Sequence, residues 1–215
     1  MSVVEHLAPR PTWRGWLHQW AFAASIVTGI VLVSVAGGSR IPTAIYATAV
    51  SLLFGTSALY HRVNWTTRMH QVMKRLDHSM IFVLIAGTYT PFAVLVLPPR
   101  TARVLLAVVW TGAVLGIAIR MLWLHAPRWL YVPLYVGLGC VAVFLVPQML
   151  HFGGVTTFVL IAAGGAAYIA GAVVYALRRP DPLPRVFGYH EIFHACTLVA
   201  AICHYIAVYF ALAGH

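Results

Sequence analysis

The stretch Gly188-Tyr189-His190-Glu191-Ile192-Phe193-His194 stands at the start of a long apolar run near the end of the chain. Side chains four residues apart lie on one face of a helix, so His190 and His194 point the same way, one turn apart. Two imidazoles in this arrangement form a metal-chelating pair. The stretch also fits H-E-x-x-H, the pattern of soluble zinc proteases, but here it opens a run long enough to span a membrane. The sequence therefore predicts a metal-binding pair at the edge of a bilayer.

The composition assigns the rest of the chain to a membrane as well. Its 215 residues are 61% hydrophobic and 8% charged, and the mean hydropathy is +0.86. A soluble domain carries roughly 25% charged residues, so this excess of apolar side chains needs lipid as its solvent. The net charge of +10 does not indicate nucleic-acid binding, because the basic residues lie in the gaps between apolar runs.

Seven apolar runs are long enough to cross a bilayer, and the connections between them are short. We therefore predict an all-α integral membrane protein whose single domain, residues 1–215, is a bundle of seven transmembrane helices. The predicted spans are Trp16–Gly37, Ile41–Tyr60, Ser79–Leu97, Ala102–Ile119, Trp129–Leu150, Thr156–Leu177 and Tyr189–Leu212.

The basic residues predict the orientation of these spans. With the N-terminus in the cytoplasm, eleven of the 14 Lys and Arg residues lie on the cytoplasmic side, as the positive-inside rule requires. The cytoplasmic bases are Arg10, Arg14, Arg62, Arg68, Lys74, Arg75, Arg120, Arg128, Arg178, Arg179 and Arg185; those outside are Arg40, Arg100 and Arg103. This predicts a short cytoplasmic N-terminal segment, residues 1–15, an external C-terminus, and a location in the inner (plasma) membrane of the cell.

The same topology brings polar side chains from three spans to one depth near the inner leaflet. His61 ends span 2, Asp77 precedes span 3, and His190 and His194 open span 7. Ser57 lies one helical turn from His61 on the same face. Three imidazoles with an open fourth position are the ligand set of a catalytic zinc, and iron or manganese also occupy histidine-rich sites. We therefore expect a metal, most simply zinc, at this depth.

Three pieces of sequence, in the same order, resemble the progestin and adiponectin receptor family in its bacterial haemolysin III branch. These pieces are Ser57-x-x-x-His61, Arg75-Leu76-Asp77-His78-Ser79, and His190-x-x-x-His194 followed by Thr197–Tyr205. The resemblance implies a seven-helix bundle with a cytoplasmic N-terminus. It also implies a zinc held by His61, His190 and His194, with Asp77 beside the water that zinc activates and Ser57 close by.

The resemblance further implies a function. Eukaryotic members of that family are associated with ceramidase-type amide hydrolysis, which implies a zinc-dependent hydrolase of lipid amides or esters acting on a ceramide-like membrane lipid. Asp77 would then serve as general base, and Ser57 would donate a hydrogen bond or fix a ligand. The adiponectin receptors carry Gln between the two histidines of span 7, where this chain has Glu191, so hormone binding and signalling are not carried over.

Two alternatives stay open at this point. Glu191 is either a general base or a partner of the helix N-terminus, and we favour the second because it points about 100° away from His190 around the helix. The chain is also compatible with a non-enzymatic membrane protein, namely a membrane-perturbing haemolysin, a sensor or an ion-homeostasis protein. In that case the zinc would be structural.

Other histidines receive weaker interpretations. His78 is expected to face away from Asp77 and to pack at the membrane interface. His204 lies about 15 Å beyond His194 along the same helix and is interpreted as a buried, hydrogen-bonded side chain. The sequence assigns no role to His18.

Overall fold

A computed structural model describes residues 11–123 and 126–214 of the chain. Most of the predicted cytoplasmic segment 1–15, including Arg10, lies outside the described residues, as does the side chain of Arg128. The described residues form seven α-helices and no β-strand, which confirms the all-α prediction. The helices are α1 (Trp16–Val35), α2 (Arg40–Arg62), α3 (Thr67–Val96), α4 (Pro99–Leu122), α5 (Arg128–Gly139), α6 (Val146–Leu177) and α7 (Tyr189–Ala213).

The surface of the bundle is apolar where it would face lipid. Ile41, Leu122 and Phe144 are among the large apolar side chains left exposed, at 76%, 86% and 83%. Within the described residues, six helical segments are long and apolar enough to cross a membrane. Apolar patches of this extent need a non-aqueous environment. The chain is therefore a multi-pass membrane protein.

Predicted spans 5 and 6 lie on either side of a break in the chain at Gly154. The apolar helical stretch Trp129–Leu177 covers 49 residues, but it folds back on itself, because the hydroxyl oxygens of Tyr131 and Tyr175 near its two ends lie 3.4 Å apart. A 3₁₀ stretch, Cys140–Leu145, joins α5 to α6. Within α6, Gly154 leaves the helical conformation with φ 73° and ψ 166°, a region that glycine enters without steric cost. The longest of the six segments therefore contains two predicted spans, Trp129–Leu150 and Thr156–Leu177, with the break at Gly154 between them.

Helix α3 begins earlier than predicted span 3. Thr66 caps it by accepting a hydrogen bond from the backbone N–H of Met69 at 3.4 Å, and this local signal starts the helix at Thr67 rather than near Ser79. Asp77 consequently lies inside a helix, in its third turn, instead of at a helix start. Its direction is therefore fixed by the packing of α3.

Neighbouring helices pack in chain order, and α7 closes the bundle. α1 packs on α2, α2 on α3, α3 on α4 and α6 on α7, while α7 also contacts α1 and α3. Leu32, Tyr46 and Val208 are fully or almost fully buried in the core shared by these helices. This arrangement gathers the start of α1, the end of α2, and the starts of α3 and α7 at one end of the bundle.

Candidate metal centre

Three imidazoles meet where α2 ends and α7 begins. His61 lies in the last turn of α2, and His190 and His194 lie in the first two turns of α7. The Nε2 atoms of His61 and His190 are 3.2 Å apart. One ligand nitrogen from each of the three histidines lies within 4.8 Å of the others. The structure thus brings together the three side chains that the sequence names as metal ligands.

The spacing of these nitrogens fits a tetrahedral ion. With Zn–N bonds of about 2.0–2.1 Å, two ligands of a tetrahedral zinc lie about 3.3 Å apart. The His61–His190 pair is already at this separation, and the third nitrogen needs a shift of about 1.5 Å or less to match it. The donor set, three imidazoles without a thiolate, suits zinc and leaves a coordination position for a non-protein ligand.

Contacts between the two ends of the chain fix the start of α7. The Arg14 guanidinium donates to Glu191 Oε1 at 2.5 Å, and the backbone N–H of Gly188 donates to Glu191 Oε2 at 2.9 Å. Glu191 is only 1% exposed. Both carboxylate oxygens are thus used to anchor the helix start, which confirms the interpretation of Glu191 as a helix N-terminal partner.

A glycine lets the start of α1 approach His61. Gly15 adopts φ 80° immediately before α1, and a Cβ at this position would lie 2.7 Å from the Cβ of His61. Backbone hydrogen bonds of 3.1 Å from Thr12 to Arg185 and from Trp13 to Val186 hold the same segment against the loop that precedes α7. The approach to α1 therefore forms one wall of the histidine cluster.

His18 is a fourth imidazole in this region, and the sequence assigned it no role. It is 3% exposed and stacks on His194, with ring centroids 3.8 Å apart and planes inclined by 9°. Its Nδ1 lies 2.8 Å from Ser57 Oγ. The signal that could have found it is the helical stripe of small and polar residues that α1 buries, which begins at His18 and continues through Ala21, Ser25 and Gly29.

Ser57 connects His18 with Asp77. A side-chain hydrogen bond joins Ser57 and Asp77, in addition to the contact of Ser57 with His18. A carboxylate only accepts hydrogen bonds, so the Ser57 hydroxyl donates to Asp77 and accepts from His18 Nδ1. The predicted catalytic pair, Asp77 and Ser57, is therefore in direct contact, and the serine also holds the ring that packs on His194.

A cavity of about 490 Å³ begins at this cluster and continues between the helices. Asp77, His190 and His194 line its polar end, and Met149, Phe158 and Leu145 lie among the apolar side chains of its wall. Pockets of roughly 300–1,000 Å³ with mainly apolar walls and a few polar groups are typical of small-molecule sites. The cavity therefore suits an elongated apolar ligand whose polar group meets the histidines.

His78 and Arg120 differ from their sequence predictions. His78, expected to pack at the membrane interface, also lines the cavity that Asp77 lines. Arg120, counted among the bases of the connecting segments, lies inside α4 and is 1% exposed. Its guanidinium contacts His78 Nδ1 and lies 4.4 Å from the centre of the Tyr131 ring. Because Arg only donates, His78 accepts through Nδ1 and carries its proton on Nε2.

Comparison with known proteins identifies the family of this chain. The sequence profile of the family described as "Haemolysin-III related" matches residues 7–205. The chain is 30% identical to "Hemolysin-3" of Bacillus cereus over 131 residues, which cover 61% of this chain and 59% of that protein. It is 27% identical to the "Hemolysin-3 homolog" of Bacillus subtilis over 166 residues, covering 77% and 75%. With the "Heptahelical transmembrane protein ADIPOR2" of Oryza sativa subsp. japonica it shares 29% identity over 190 residues, covering 80% and 82%.

Proposed function

Since this chain belongs to the haemolysin-III related family, we propose that it is a zinc-dependent membrane hydrolase of lipid amides or esters, with ceramide-like substrates. The observation that carries this proposal is the position of the His61, His190 and His194 cluster at the polar end of a deep apolar cavity. A metal at that position meets the polar group of any lipid whose acyl chain fills the cavity.

The proposal includes seven spans with the N-terminus in the cytoplasm. At about 1.5 Å per residue a helix the length of Trp129–Leu177 would extend roughly 74 Å, more than twice a bilayer core of about 30 Å. The break at Gly154 is a suitable place for this segment to turn back, so that it crosses twice. An odd number of spans then puts the two termini on opposite sides of the membrane. The excess of basic residues places the N-terminus in the cytoplasm.

Labelling of single cysteines tests this topology. The native cysteines Cys140, Cys196 and Cys203 are first replaced by alanine, and an exposed position is then changed to cysteine, either Asn64 between α2 and α3 or Val155 beside Gly154. Seven spans predict that a membrane-impermeant thiol reagent reaches Val155→Cys from outside intact cells and reaches Asn64→Cys only after permeabilisation. The reverse pattern, or protection of both positions, contradicts the topology.

The chemistry assigns separate roles to the ligands and to their neighbours. His61, His190 and His194 would hold the zinc, which would supply polarisation of the scissile carbonyl and activation of water. Asp77 would accept the proton as general base, because it lines the same cavity as His190 and His194. Ser57 orients Asp77, and the apolar walls exclude bulk water while they hold the acyl chain.

Metal analysis of purified protein tests the centre. We expect about one zinc ion per chain, the capacity of a three-histidine site, and loss of most of it in the variant His190→Ala/His194→Ala. His151→Ala is a matched control because this histidine of α6 is exposed and remote from the cluster in sequence. Helix content and size-exclusion profiles establish that each variant is folded. Unchanged zinc in the folded double variant contradicts the assignment.

A structural role for the metal is the second candidate. α2 packs mainly on α1 and α3, and α7 packs mainly on α6, so a metal shared by His61, His190 and His194 would tie together two helices that otherwise meet little. This role predicts a large fall in Tm on chelation, because binding energy at such sites stabilises the fold, and no hydrolysis across a panel of ceramides and lipid esters. Turnover that disappears on chelation and returns with zinc favours the enzyme.

A further inference from the structure

A second polar site lies in the same cavity, far from the histidine cluster. His204 is ten residues beyond His194 on α7, which is about 15 Å along the helix axis. It is 7% exposed and lines the cavity. Its Nε2 lies 3.2 Å from the carbonyl oxygen of Ile161 on α6, which confirms that His204 is buried and hydrogen-bonded. Because a carbonyl only accepts, Nε2 carries the proton of this ring.

The other nitrogen of His204 is left as an acceptor. A charged imidazolium in apolar surroundings is costly without a paired anion, so the ring is neutral and its Nδ1 holds a lone pair. Nδ1 is buried and has no hydrogen-bond partner among residues 11–123 and 126–214. A buried acceptor without a partner is costly enough that native proteins rarely keep one unless a ligand or a water completes it.

A matching donor lies beside it. The ring centroid of Tyr168 on α6 is 5.6 Å from that of His204, and Tyr168 lines the same cavity. Its hydroxyl is also buried and, within the described part of the chain, has no hydrogen-bond partner. Tyr46, which is near Tyr168, turns its own hydroxyl to the carbonyl of Ala201 at 3.5 Å. The pair His204 and Tyr168 thus offers one acceptor and one donor on the cavity wall that have no partner within the described residues.

A group that both donates and accepts satisfies this pair, and a hydroxyl is the simplest. We propose that His204 and Tyr168 form a subsite for a hydroxyl group carried partway along an acyl chain. The proposal shares one premise with the proposed function, namely that an acyl chain occupies the cavity. An extended acyl chain advances by roughly 1.3 Å per carbon, given C–C bonds of about 1.5 Å. The separation of about 15 Å between His194 and His204 therefore corresponds to roughly twelve carbons.

A buried water could supply the same hydrogen bonds, so the test separates a lipid hydroxyl from a water. The affinities of octadecanoate, 2-hydroxyoctadecanoate and 12-hydroxyoctadecanoate are measured on zinc-loaded protein in nanodiscs, by displacement of a fluorescent fatty acid. Binding is read without any hydrolysis. We expect 12-hydroxyoctadecanoate to bind about tenfold more tightly than octadecanoate, as two additional buried hydrogen bonds allow, and 2-hydroxyoctadecanoate to show no such gain.

The variant Tyr168→Phe removes only the hydroxyl and keeps the ring. It should abolish the preference for the 12-hydroxy chain while the affinity for octadecanoate is unchanged, and Tyr209→Phe, on an exposed part of α7, should keep the preference. Equal affinities of the three acids for the wild type overturn the subsite and assign the pair to a bound water. Failure of all three acids to bind overturns the acyl-chain cavity and the subsite together, whereas loss of hydrolysis alone with the preference intact overturns only the enzyme.

Discussion

The two polar regions of the cavity differ in how far their hydrogen-bonding groups are used. At the cluster, His18, Ser57 and Asp77 form a connected set, and His61 and His190 face each other at 3.2 Å. At the distal site, His204 makes one hydrogen bond to the backbone, and its second nitrogen has no partner in the described residues. A preorganised set holds reacting groups in place, whereas a lone donor and acceptor in an apolar wall select among ligands.

Under the proposed function, chemistry belongs to the cluster and selectivity to the distal site, and Asp77→Asn is the sharpest way to break this assignment. The amide keeps the shape of the carboxylate but cannot accept the proton, so hydrolysis should fall by about 10²-fold or more. Zinc content should stay close to that of the wild type, because the three histidines supply the protein ligands. Rates on ceramides and lipid esters, together with metal analysis, check this result. Joint loss of zinc and activity would show that Asp77 is itself a zinc ligand or that it holds one of the ligands in position.

Ser57→Ala should have a smaller effect on the same end of the cavity. It removes the hydrogen bonds that orient Asp77 and His18, and loss of such outer partners typically costs about 10- to 100-fold in activity or metal affinity. We expect about a tenfold lower rate with little change in fatty-acid affinity. The neighbouring Ser25→Ala on α1, whose hydroxyl bonds Phe22 and Ser51, is the control. Equal effects of the two variants would show that Ser57 acts on stability alone.

Gly164→Ala should produce the smallest change at the cluster while it disturbs the distal site. A Cβ at Gly164 would lie 2.5 Å from both Cδ2 and Nε2 of His204, so the ring must leave the Ile161 carbonyl. Overpacking of this kind costs about 1–3 kcal/mol, which lowers Tm by several degrees in a chain of this size. Zinc content should be unchanged. Gly165→Ala, where an added Cβ meets nothing within 4 Å, is the matched control in a thermal-unfolding assay.

The sequence was most informative where the pattern was local. The His190–His194 pair follows from helical spacing, and its meeting with His61 follows from counting spans, which explains why these three side chains could be named in advance. The same counting places the start of span 1 at this depth. His18 was overlooked because a single histidine near a helix end carries no spacing signal of its own. The stripe of small and polar residues that begins at His18 indicates burial, and the stacking of His18 on His194 shows which residues it meets.

Other features depended on tertiary contacts that spacing does not encode. Arg120 could not be distinguished from a basic residue of a loop, because its burial results from the position of Tyr131 and His78 around it. His204 was correctly interpreted as buried. That its Nδ1 lacks a partner follows only from the structure, because the Ile161 carbonyl is bonded to the other nitrogen, Nε2. The break between predicted spans 5 and 6 is, by contrast, a local signal: Gly153-Gly154 marks it in the sequence, and Gly154 leaves the helical conformation there.

The contact between His61 and His190 joins residues 129 positions apart in the chain, and this separation has a consequence for biosynthesis. A ribosome adds roughly 5–20 residues per second, so α2 enters the membrane on the order of ten seconds before α7 exists. During that interval His61, His18 and Asp77 must be accommodated in a partial bundle whose last wall is missing. If the proposed zinc site is right, the order of synthesis makes metal acquisition a late event, and a nascent chain stalled before Tyr189 should insert its early helices yet bind no zinc.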